Sequence, residues 1–147
     1  MSAAPAAVRA VFTGSRDWRD EAPVRAVIDA LPANAVVIHG DAEGREGAEG
    51  LDKMVDRLAR ARGLQVRAIP ARWNEHAPGW CRCTAYRRLT SPYCAMAGPR
   101  RNQGMIDEER PTEGHAFPMP SSRGTWDMVR RLRAASVPTK VYGVTTP

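Results

Sequence analysis

Short apolar runs alternate with helical stripes along most of this chain. Val8–Phe12 is almost continuously apolar, the pattern of a parallel strand buried on both faces, and Ala35–Ile38, Val66–Ile69 and Gly114–Phe117 repeat it. Pro138–Tyr142 predicts a last short strand. Between the strands, the spacing predicts a helix from Pro23 to Leu31 with Val24, Val27, Ile28 and Leu31 on one face. A second helix runs from Leu51 to Arg62, carrying Leu51, Met54, Val55 and Leu58, and Gly63 closes it. Pro99 suits the first position of a third, through Ile106. A fourth covers Thr125–Ala135, with Met128, Val129 and Leu132 facing in. Strands alternating with helices predict a three-layer α/β sandwich, with a mainly parallel sheet covered on both faces. Two segments break the rhythm. Ala42–Gly50, rich in Gly, Ala and Glu, reads as a mobile loop. Pro70, Pro78, Gly79, Pro92 and Gly98 punctuate a long stretch read as an insertion over residues 71–97 on the rim of the sheet.

At 147 residues the chain is expected to form one domain, 1–147. The net charge of +6 suits an anionic ligand, either a nucleotide or a nucleic acid. Much of that charge is Arg57, Arg60, Arg62, Arg130, Arg131 and Arg133 along helices, for which a solvated face is the favoured reading. Aromatic residues are only 6% of the chain and do not alternate with basic ones, so a single-strand-binding surface with stacking platforms is the lesser reading. No run is long and apolar enough to span a membrane. MSAAPAAVRA leads straight into the first strand without a leader pattern, so the expected location is the cytoplasm.

In open parallel sheets, ligands sit outside the C-terminal strand ends, where the strand order reverses. Three loops are expected to meet there. The first holds Thr13, Gly14, Ser15 and Arg16, with hydroxyls and a cation for a phosphate; it matches neither the dinucleotide glycine fingerprint nor a P-loop. The second holds His39 and Gly40. In the third, Ser121, Ser122 and Gly124 can bring backbone N–H groups close to an anion, Arg123 adds a cation, and Thr125 is expected to cap the helix, with Asp127 in its first turn. An ordinary strand–helix connection is the competing reading of that stretch. Within the insertion, His76, Cys81, Cys83 and Cys94 have the spacing H-x4-C-x-C-x10-C. Three cysteines without a secretion pattern argue against a disulfide framework. A closed Cys3His set would suit structural zinc and would hold a segment with little apolar content of its own. Three reduced cysteines in a loop are the alternative, and His115 is a less favoured fourth ligand.

Four stretches carry a family resemblance: Val11-Phe12-Thr13-Gly14-Ser15-Arg16-Asp17-Trp18; Val36-Val37-Ile38-His39-Gly40-Asp41-Ala42-Glu43-Gly44; Ala97-Gly98-Pro99-Arg100-Arg101-Asn102-Gln103-Gly104-Met105; and Ala116-Phe117-Pro118 with Arg123-Gly124-Thr125-Trp126-Asp127-Met128. In that order they resemble the YspA-type branch of the SLOG superfamily, common in actinobacteria and their phages. The resemblance implies a Rossmann-like fold that binds nucleotides or nucleotide-derived ligands. Its relatives include cytokinin-activating phosphoribohydrolases with a P-G-G-x-G-T-x-x-E motif and an upstream Arg, DNA-processing proteins, and sensors of NAD-derived signals. Gly124 and Thr125 match the Gly-Thr of that motif, Asp127 lies one position before its Glu, and Arg100 or Arg101 matches the Arg. Met119 and Pro120 stand where the motif has glycines.

The leading expectation is therefore a sensor or sequestering module for a nucleotide or NAD-derived small molecule, forming a homodimer as the relatives often do. An N-glycosidase acting on a nucleoside monophosphate is the alternative. It needs a carboxylate near the anomeric carbon, for which Asp127 is the candidate. Arg101 would hold the phosphate as a bidentate fork, and Asn102 would orient a ribose hydroxyl. A DNA-associated protein is the third reading.

Overall fold

The computed structural model describes residues 6–143, so the reading of residues 1–5 as free of a leader lies outside the described residues. β1 (Arg9–Gly14) occupies the centre of the sheet because Ala10, Val11 and Phe12 offer nothing that needs water, and all three are fully buried. On one side it pairs with β2 (Val36–His39), which pairs in turn with β3 (Gln65–Ala68). On the other it pairs with β4 (Glu113–Phe117), followed by β5 (Thr139–Val141). The order is β3-β2-β1-β4-β5 and every pairing is parallel. This is the predicted α/β architecture, Rossmann-like in its order, with the reversal falling between β1 and β4.

Each face of the sheet has its own core. α1 (Glu21–Ala30) and α2 (Gly50–Ala61) cover one face, where Val24, Ile28, Leu51, Met54, Val55 and Leu58 meet Phe12, Val37 and Phe117. α4 (Ala97–Glu109) and α5 (Arg123–Ala134) cover the other, where Met105, Ile106, Met128 and Leu132 meet Val11, Val36 and Ile38. Trp18 is buried edge-on against Phe117, so it packs rather than offering a stacking surface.

The structure corrects several local expectations. A short helix, α3 (Ala85–Thr90), forms inside the insertion, where Thr84 caps it by accepting the Arg87 N–H at 3.1 Å. The insertion ends at Met96, because α4 already begins at Ala97. Thr125 does not cap α5. The helix starts at Arg123, and Thr125 is its third residue and buried. Asp127 consequently lies in the second turn rather than the first.

Two side chains tie elements together away from the C-terminal ends of the strands. Arg62 donates to the carbonyls of Ile28 and Leu31, satisfying the end of α1 from the end of α2. Glu109, at the end of α4, accepts from Arg67 of β3 at 2.6 and 3.2 Å, and its backbone carbonyl accepts from Arg9 of β1 at 2.6 Å. The Arg67 hydrogen bonds hold the Glu109 carboxyl below its ordinary range. A carboxyl shifted down in the folded state adds stability above its unfolded pKa of about 4.3 and loses it as the pH falls through the lower folded value. Glu109→Gln is therefore expected to lower stability by about 1 kcal/mol near pH 7. The gap to the parent should close in acid, as urea melts at the two pH values will show.

Candidate ligand site and metal centre

The chain leaves β1 through Gly14, where a side chain would not fit. A Cβ there would lie 2.3 Å from Leu51 Cγ and 2.9 Å from the Phe117 carbonyl. Its absence lets the β1, β2 and β4 loops knit directly. Ser15 N–H donates to Phe117 O at 3.1 Å, Leu51 N–H to Ser15 O at 3.1 Å, and Arg45 N–H to Arg16 O at 3.3 Å. Thr13 and Ser15 are buried, and Ser15 Oγ accepts the Asp17 N–H at 3.0 Å, so these residues build the turn. Arg16 is exposed beside them. In the β4 loop, Ser122 Oγ accepts the Met119 N–H at 2.8 Å and is taken up in the turn, whereas Ser121, Arg123 and Gly124 are exposed. The first N–H groups of α5, Gly124 and Thr125 among them, have no intrahelical acceptor.

The β2 loop departs from the expected ligand set. His39 is fully buried, and both ring nitrogens are engaged: Nδ1 accepts the Asp41 N–H at 3.0 Å, which leaves Nε2–H to donate to Asp56 at 2.8 Å. His39 thus shapes the loop and does not reach its surface. Gly40 leaves room for a neighbouring side chain. A Cβ on it would lie 2.5 Å from Arg101 Nη1, which donates to the Gly40 carbonyl at 2.6 Å and to that of Ile69 at 3.1 Å. Arg101 therefore clamps the ends of β2 and β3. Burial pushes its guanidinium down from the ordinary value; Asp52 opposes this, and the nearby Arg16 adds to it.

Asp52, in the first turn of α2, is the residue that sequence reasoning left out of the site. It is buried, accepts the Ala42 N–H at 3.0 Å, and faces the Arg101 charge. Burial raises its pKa, against the pull of the Ala42 N–H, His39 and Arg101. The signal was present in its spacing, since Asp52, Val55 and Ala59 share one buried face of the helix.

Asp127 and Arg101, the expected catalytic pair, do not touch. Asn102 joins them: its Oδ1 accepts Arg101 Nε–H at 3.1 Å, and its Nδ2 donates to Asp127 Oδ2 at 3.0 Å and Gly124 O at 3.3 Å. Arg131 Nε–H also donates to Asp127 Oδ2, at 2.9 Å, and Arg130 stands 3.9 Å from its other oxygen. The Asp127 carboxylate is thus paired within α5 and hydrogen-bonded across the α4–α5 contact by Asn102, and Arg101 Nη1 is engaged by two backbone carbonyls. Arg100 points elsewhere, with Nη2 3.9 Å from Glu75.

The insertion brings His76, Cys81, Cys83 and Cys94 together, with their ligand atoms all within 4.8 Å of one another. Tetrahedral metal–thiolate geometry requires sulfur–sulfur separations of about 3.8 Å, within reach of this spacing. His76 Nδ1 faces Cys81 Sγ at 3.3 Å, and Nε2 lies 2.7 Å from the Ser91 carbonyl. That is the arrangement in which a carbonyl orients a metal-binding imidazole. Burial pushes the Cys81 thiol up, but the Cys83 N–H, His76 and the neighbouring thiols outweigh it and bring it down to about 6. The four side chains could hold a metal ion. His115 lies elsewhere, between Glu113 and Tyr142.

Residues 8–76 match the model of the YspA, cpYpsA-related SLOG family. The match spans 69 of 147 residues, from β1 to the start of the insertion, and includes the β1 and β2 loops, Asp52 and His76. No curated protein is significantly similar to the chain.

Asp52→Asn is expected to raise the Tm by about 2–4 °C at neutral pH, because the amide keeps an acceptor for Ala42 without a buried charge. A carboxyl raised in the folded state loses its contribution as the pH rises through its folded pKa, so the advantage of Asn should grow with pH. A fall in Tm would show that pairing with Arg101 outweighs burial.

Proposed function

We propose that the protein is a SLOG-type module that binds a nucleotide or nucleotide-derived small molecule at the C-terminal edge of its sheet, as a sensor or a sequestering protein. The observation that carries this reading is the meeting of the β1, β2 and β4 loops at the reversal of the sheet, with Arg16 exposed beside it. An exposed guanidinium there can pair with a phosphate. The free N–H groups at the start of α5 and the exposed Arg123 stand across the β1–β4 reversal, where doubly wound sheets take ligands. The family match over residues 8–76 supports the same ligand class. Binding is favoured over turnover because Asp127 Oδ2 is occupied, paired with Arg131 and hydrogen-bonded by Asn102.

The metal of the insertion is zinc in this reading. Three thiolates and one imidazole make a closed, soft, four-coordinate set of the kind structural zinc prefers.

Native mass spectrometry tests both parts at once. The purified chain should carry about one zinc, lost on denaturation. Cys81→Ser should release it and make residues 71–96 sensitive to protease while the sheet persists. A nucleotide that raises the parent Tm should raise that of Arg16→Glu far less. Loss of the ligand as cleaved base and sugar would overturn the binding-only reading.

A further inference from the structure

α1 carries more apolar surface than its core contact uses. Val24, Ile28 and Leu31 pack inward. Beside them, Pro23, Ala26, Val27 and Ala30 form a second stripe at i, i+3, i+4 and i+7. That stripe is one wall of a cleft of about 480 Å³ between α1 and the strands β4 and β5. Ala26 and Ala30 are exposed on it, and their small side chains leave the cleft open. None of the residues lining it belongs to the loops after β1, β2 or β4, so it is separate from the site proposed above.

The facing wall is polar and ordered. His115 is buried in it, with Nε2 against Glu113 Oε2 at 2.5 Å and Nδ1 against the Tyr142 hydroxyl at 2.9 Å. A carboxylate only accepts, so Nε2 carries the proton and Nδ1 accepts from Tyr142. Burial holds the imidazole below its ordinary pKa, against the pull of Glu113, and so keeps it neutral. The ring thus occupies one oxygen of Glu113 and leaves Oε1 open. Lys140 lines the same wall from β5, in register with His115 and therefore two residues along the sheet from Glu113, about 7 Å at 3.3 Å per residue. Glu113 and Lys140 do not pair with each other; the ionic contact of Glu113 is the imidazole. A carboxylate and an ammonium held apart opposite an apolar wall are the complement of a zwitterion with an apolar tail.

We propose that this cleft is a second ligand site and that it takes a free α-amino acid with an apolar side chain. The ammonium of the ligand donates to Glu113 Oε1, and its carboxylate accepts from Lys140. Its side chain lies on the stripe of Ala26, Val27 and Ala30, which loses its contact with water. An amine without the carboxylate leaves Lys140 unused. A carboxylate without the ammonium meets Glu113 as a like charge. The two charged residues therefore select the zwitterion against both.

The test is an NMR titration of the isotope-labelled full chain at pH 7 and low salt with L-leucine and L-phenylalanine. Two further probes, 4-methylpentanoate and 3-methylbutylamine, are leucine without its ammonium and without its carboxylate. Leucine or phenylalanine is expected to bind and to shift the amides of His115 and Lys140, and the two truncated probes should bind about tenfold more weakly than leucine or worse. Glu113→Gln keeps an acceptor for His115. It should weaken amino-acid binding about tenfold while 4-methylpentanoate binds as before or more tightly. Lys140→Met should weaken the amino acids and leave 3-methylbutylamine unchanged. Ala26→Phe, at an exposed helix position, should fill the cleft and abolish binding with the fold intact by circular dichroism. Arg16→Glu should bind the amino acids like the parent, so loss of the nucleotide response and loss of this site are read separately. Absence of binding by both amino acids overturns the proposal. So does parental affinity in Glu113→Gln and Lys140→Met, or a truncated probe that binds as tightly as leucine.

Discussion

Gly14 allows the end of β1 to lie against the first turn of α2 and the end of β4 at once, and the upper edge of the molecule is built on that contact. With any side chain there, Leu51 and the Phe117 carbonyl would have to move, and with them the Ser15 bonds that join three loops. β1 can be so crowded because its sequence is apolar and small where both faces are covered. Burying the strand on both sides also places its exit at the reversal of the sheet, so the constraint that stabilises the core positions the loops that meet there.

Above that edge the balance is electrostatic. Arg101 holds two strand ends by their carbonyls, and Asp52 offsets its charge from the other side of β2. Buried opposite charges rarely repay their desolvation, so this pairing contributes little net stability. Asn102 extends the cluster to Asp127 and Arg131, so a ligand that displaced Arg101 would be felt at the α4–α5 contact through two hydrogen bonds.

The strands and the helix faces were legible because apolar periodicity is a local signal, strong in Val8–Phe12 and in Leu51–Leu58 alike. The cysteine cluster was legible because the donor chemistry of His76, Cys81, Cys83 and Cys94 restricts what they can do together. Helix starts were less so. Thr125 looks like a cap, but the Met119–Ser122 turn begins α5 two residues earlier and draws Thr125 inward. His39 looked available because sequence cannot show that Asp56, seventeen residues on, would occupy its Nε2. The engagement of Arg101 by Gly40 and Ile69 was hidden for the same reason: its partners are carbonyls, which every residue has.

The insertion has little core of its own. Its large apolar side chains Tyr86 and Leu89 are exposed, at 74% and 87%, and its anchors are the buried Cys94, whose N–H donates to the Trp73 carbonyl, and the stack of Trp73 on Tyr93. A segment of this kind holds one shape only if something other than hydrophobic burial fixes it, and the His–Cys cluster is the group in it able to do so. The cluster lies next in sequence to Trp80, and Trp80 reaches Arg131, the residue that neutralises Asp127. The His–Cys cluster, the flank of α4 and the α5 network are thus neighbours, joined in space by the Trp80–Arg131 contact and the Arg131–Asp127 hydrogen bond.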